Sequence, residues 1–168
     1  MKKLLIISSV IIMILCINKP TTIPKESIRF RVIANSDSIE DQTLKKEIVK
    51  NLSKELIKTN DINNIEDTRK YLQSNLPLYT EIVDKTLKNN KSNRDFHINY
   101  GKNYFPRKVY KNVVYEEGDY ESLVITLGEG TGNNFWCVLF PPLCLIDDQN
   151  TEYKSLFKEL IDKYTSNL

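Results

Sequence analysis

The chain has 168 residues, of which 40% are hydrophobic and 27% charged, enough for one domain with its own core and too few for two generous ones. Of its 24 Lys and Arg, three (Lys2, Lys3 and Lys19) precede residue 23 with no acid among them, so 21 basic residues face 22 acidic ones over the remainder. That near-neutral remainder lacks the strong positive field that nucleic-acid binding requires, and a nucleic-acid partner is not expected.

Met1-Lys2-Lys3 leads into an uncharged apolar run from Leu4 to Ile17, the pattern of a charged n-region and apolar h-region in an export signal. As a helix the run would reach about 21 Å, short of the roughly 30 Å of bilayer hydrocarbon. No small-residue cleavage pair follows it. Removal on export is the favoured reading, and an uncleaved N-terminal anchor the alternative. Residues 1–22 are therefore read as export signal or short anchor with the start of a tether, and residues 23–168 as a single α+β domain. "PTTIPKES" over residues 20–27 carries two prolines and reads as the tether.

Ile28, Phe30 and Val32 alternate with Arg29 and Arg31, which predicts a strand with one buried face. Asp37 or Ser38 then caps a helix whose apolar positions Leu44, Ile48, Leu52 and Leu56 recur every fourth residue, to about Lys58. A second helix follows Asn64 to about Ser74, and Pro77 opens a third that runs to Lys88, because proline fits a first turn and breaks a helix interior. Phe96, Ile98 and Tyr100 alternate with His97 and Asn99 in a second strand. Val109 to Tyr115 is an edge strand or an extended loop. Tyr120 to Leu127 is a third strand, and "GEGTGNN" is read as a hairpin returning the chain into a fourth, Phe135 to Phe140. A last helix is expected over residues 152–164. The order implies an α+β fold: a mostly antiparallel sheet of about four strands with helices packed mainly on one face.

Arg29, Arg31, His97, Asn99, Ser122 and Thr126 fall opposite the apolar positions of their strands and are expected to share an accessible polar face. The fourth strand is apolar on both sides: either it is buried on both, or Trp136 and Phe140 stand in the open. Core packing is one reading of these aromatics. The other is a partner-docking patch of Trp136 and Phe140 rimmed by Arg29, Arg31 and His97.

Cys137 and His97 are the residues a secreted cysteine hydrolase acting on cell wall or peptide would use. Cys137, however, sits mid-strand between apolar residues, where a thiolate is disfavoured. One His and two Cys lack zinc-site spacing, so no metal is expected. The glycines Gly128, Gly130 and Gly132 precede a strand rather than the helix N-terminus a phosphate loop needs, so no cofactor is expected either. Export makes oxidation available to Cys137 and Cys144, which Pro141-Pro142 would turn toward each other. A disulfide is favoured, with two reduced core cysteines as the alternative.

"RFRVIANSDSIEDQ" (29–42), Phe105-Pro106, "GDYESL" (118–123) and "GEGTGNNFWCVLFPPLC" (128–144) together resemble the stage II sporulation protein R family of endospore-forming bacteria. Phe135 stands where the family commonly has Trp, Ile39 where it has Pro, and Lys111 where it has Gly. The resemblance implies a secreted signalling protein, made in the forespore and exported into the space between forespore and mother-cell membranes. There it would be needed for a membrane-embedded aspartic protease, the sigma-E processing peptidase, to cleave the mother cell's sigma-E precursor. It also implies an activating ligand rather than an enzyme.

Overall fold

The computed structural model describes residues 21–110 and 113–143. The apolar run, Cys144 and the helix expected over 152–164 lie outside the described residues. The elements in chain order are β1 (Thr21–Thr22), β2 (Ile28–Ile33), α1 (Ile39–Leu56), a 3₁₀ turn (Ile57–Asp61), α2 (Ile65–Ser74), α3 (Leu76–Asn89), β3 (Phe96–Phe105), β4 (Lys108–Tyr110), β5 (Val113–Tyr115), β6 (Gly118–Leu127) and β7 (Asn134–Phe140).

Local chemistry sets the helix starts. Ser38 caps α1 by accepting from the Asp41 N–H at 3.1 Å, and Asn64 caps α2 by accepting from Asp67 at 2.8 Å, each satisfying an N–H that no helical carbonyl can reach. Pro77 lies in the first turn of α3, where its missing N–H is not needed. Leu44, Ile48, Leu52 and Leu56 of α1, Leu72 of α2, and Tyr79, Val83 and Leu87 of α3 then form one apolar layer. It packs on Phe30, Val32, Leu123, Ile125, Leu127, Cys137 and Leu139 of the sheet. Each such side chain contributes about 1.5–3 kcal/mol by leaving water. Charge also ties the layers together: Arg69 on α2 grips both carboxylate oxygens of Glu121 on β6 at 2.7 Å, and Tyr100 on β3 donates to the same carboxylate at 2.7 Å. No helix among the described residues is long and apolar enough to cross a membrane.

The chain divides into two compact units. The larger contains α1 to α3 and the four-stranded sheet, ordered β3-β6-β2-β7. In the smaller, β5 pairs in parallel with β1 and antiparallel with β4, and Ile23 is buried. The residues read as a bare tether thus contribute a strand.

The main sheet is mixed. β2 runs parallel to β6 and antiparallel to β7. Gly128 donates to the Asp95 carbonyl and Ser122 meets the Gly101 carbonyl, so β3 and β6 run in opposite directions. The glycine-rich loop is not a hairpin, because β6 and β7 are not neighbours: it crosses the end of β2 and delivers β7 to that strand's other side. A first strand placed between two late ones buries β2 on both edges and leaves β7 an outer strand.

Two expected rim and patch residues are placed differently. Arg29 is 2% exposed, with its guanidinium carbon 3.3 Å from the Tyr120 ring centre, and Ser122 is also buried, so this part of the polar face is covered. A planar, weakly hydrated guanidinium tolerates such burial by stacking on an aromatic ring. Phe140 leaves the Trp136 side altogether. The register slips between Ile28↔Phe140 and Arg29↔Val138, and this irregularity turns Phe140 toward the core cluster of the helix side.

Candidate functional site

One accessible part of the sheet face lies where β2 finishes and β7 starts. Arg31 pairs across the strands with Trp136 and lays its guanidinium over the indole, 4.4 Å from the ring centre. Both residues are half-buried. Burial draws the Arg31 pKa below its ordinary value, though a guanidinium keeps its charge. The Asn134 amide, oriented to satisfy its neighbours, accepts from Arg31 Nη2 at 2.8 Å and donates to the Gly132 carbonyl at 3.1 Å. Arg31 is therefore held from two sides, by the indole and by the amide.

Beside this shelf the loop 128–133 is stitched to the segment that joins β2 to α1. Glu129 N–H donates to Asn35 Oδ1 at 3.0 Å, Thr131 donates through both N–H and Oγ1 to the Asn35 carbonyl, and Gly132 N–H donates to the Ala34 carbonyl at 2.9 Å. Asn133 N–H reaches Asp37 Oδ1 at 2.6 Å, and its carbonyl accepts from Lys45 Nζ at 2.8 Å. Gly132 has no room for a side chain: a Cβ there would sit 2.2 Å from the Ser36 carbonyl oxygen. Behind the segment, Asp41 is 2% exposed and accepts from Asn35 Nδ2 at 2.8 Å, Ser36 Oγ at 2.6 Å and Arg94 Nε at 3.1 Å. Burial pushes the Asp41 pKa up, but the bonds from Ser36 and Asn35 and the charge of Arg94 outweigh it and hold the carboxyl below its ordinary value.

The structure thus brings Arg31 and Trp136 together and disperses the rest of the expected set. Arg29 is sealed against Tyr120, Phe140 faces the core, and His97 is exposed on β3 at the opposite edge of the sheet. That last placement keeps apart the two residues the hydrolase reading would use. His97 and Cys137 lie on the two outer strands, three strand spacings or about 14 Å apart, with Cys137 buried on the helix side. Cys137 is buried, its Sγ 3.8 Å from the Val138 carbonyl oxygen, and Cys144, with which a bridge is expected, lies outside the described residues. Among the described residues no group of three or more His, Cys, Asp or Glu is placed to hold a metal ion.

Sequence reading did not single out Asn35, Asp41 or Arg94. The available signal was that Asn35-Ser36 and the glycine-rich loop are both polar segments within the motifs that resemble one family, and these two segments meet here.

The model describing stage II sporulation protein R matches residues 24–150. A stage II sporulation protein R of Bacillus subtilis (strain 168) is 43% identical over 150 residues, which is 89% of this chain and 66% of the relative, just under two thirds of its length. No solved structure matches. The match runs through β2, the glycine-rich loop and β7, the segments that build the Arg31–Trp136 shelf, and the chain belongs to the stage II sporulation protein R family.

Proposed function

We propose that the protein is a secreted signal from forespore to mother cell, acting in the space between their membranes, either released or held by its N-terminal segment. It activates a membrane-embedded aspartic protease that processes the sigma-E precursor, and it works by being bound rather than by catalysis. Family membership and the apolar N-terminal run support this reading.

The observation that carries the mode of action is the Arg31–Trp136 stack, 4.4 Å deep and fixed by Asn134. A rigid aromatic with a stacked cation and an exposed polar border has the composition of an interface anchor. Binding through this shelf activates the protease if its active arrangement is bound more tightly than its inactive one. Trp136→Ala and Arg31→Ala, exported and folded, should each lose precursor cleavage in sporulating cells while Lys50→Ala, on the exposed side of α1, does not. Normal cleavage with both shelf variants would refute the assignment.

A further inference from the structure

We infer that Asp41 is the positioning residue of the docking shelf, acting on it through Asn35, Ser36 and the loop 128–133. The inference rests on the docking reading above and adds a residue that touches no partner. Asp41 lies in the first turn of α1, where a carboxylate is favoured by the helix dipole. It is nevertheless almost wholly buried, and three donors from outside its own helix converge on it: Asn35, Ser36 and Arg94. A buried carboxylate is retained only where such donors satisfy it.

The consequence is orientational. An Asn amide has one donor end and one acceptor end. With Asn35 Nδ2 committed to Asp41, its Oδ1 faces the loop and accepts the Glu129 N–H. Likewise Ser36, held through its hydroxyl to Asp41, presents the backbone against which Gly132 packs without space for a methyl group. Gly132 in turn accepts from Asn134, which grips Arg31 over Trp136. A continuous line of contacts therefore runs from a buried charge to the half-buried indole.

The test uses the purified full chain and Asp41→Asn, with Asn35→Ala as a second variant that removes the linking amide and leaves the buried carboxylate. Loss of one or two hydrogen bonds should raise hydrogen exchange at the Glu129, Thr131 and Gly132 amides by about tenfold or more, while Phe30 and Ile125 amides in the sheet stay protected. Trp136 is the one tryptophan, so acrylamide quenching of its emission reads the shelf directly and should increase. Signalling should fall about tenfold in potency, and sucrose, which strengthens folding generally, should not restore it. Unchanged loop exchange in both variants, or rescue by sucrose, overturns the inference. If the loop loosens and the Trp136 and Arg31 variants fail to signal while the Asp41 and Asn35 variants signal normally, the inference alone falls. Normal signalling by the Trp136 and Arg31 variants sinks the docking reading instead.

Discussion

The ion pair between Arg69 and Glu121 offers a quantitative test of how the helix layer is held to the sheet. Both guanidinium–carboxylate bonds measure 2.7 Å, and the side chains are 30% and 21% exposed. Fully exposed pairs contribute roughly 0.2–1 kcal/mol, and charge-assisted hydrogen bonds shielded from water about 1.5–3 each. Partial exposure and the competing Glu66 contact on Arg69 place the coupling between these limits, at about 1–2 kcal/mol. A double-mutant cycle with Arg69→Met and Glu121→Gln, read by urea unfolding at pH 7, measures it. Hydrogen bonds from Arg69, with a further one from Tyr100, outweigh burial and lower the Glu121 pKa below its ordinary value. A carboxylate with a depressed folded pKa stabilises the fold above its unfolded pKa of about 4.3, and that stability is lost as pH falls through the folded value. The coupling should therefore be undiminished at pH 6 and shrink below about pH 4. A coupling under about 0.3 kcal/mol at pH 7, or one that grows on acidification, would refute the argument.

Four other outcomes follow from particular positions. Gly132→Ala should destabilise by about 2 kcal/mol or more because the new methyl meets a backbone carbonyl. Gly130→Ala, with φ of +64° but only the Thr126 methyl in its way, should lose about 1 kcal/mol, and urea midpoints of the two compare them. Tyr79→Phe should leave stability unchanged or raise it by up to about 1 kcal/mol, since its buried hydroxyl has no hydrogen-bond partner among the described residues. A loss of more than 1 kcal/mol in calorimetry would contradict this. Asp41, like Glu121, has a depressed pKa, so Asp41→Asn should flatten the acid limb of the stability curve below about pH 4, as a pH series of unfolding midpoints would show.

The helices were legible because their signals are local. Ser38, the fourfold spacing from Leu44 to Leu56, Asn64 and Pro77 each act within one or two turns. Strand partners were not legible. Alternation in Tyr120–Leu127 and Phe135–Phe140 names two strands but not the β2 strand lying between them, whose insertion depends on a segment some hundred residues earlier. Alternation likewise put Arg29 and Arg31 on one face without showing that the first is sealed against Tyr120 and the second is not. The slip that turns Phe140 inward is set by pairing geometry at Ile28, and nothing in "VLFPP" announces it. β1, two residues long between prolines, has no period to detect.

β2 is the first strand of the main sheet to leave the ribosome, yet both of its lateral partners are the last two of that sheet's four described strands to be made. Its hydrogen-bonding edges must wait until residue 140 has emerged, while α1 to α3 can already coil behind it. Such a sheet closes only once residue 140 has been made, and does so through pairings distant in sequence, which form slowly.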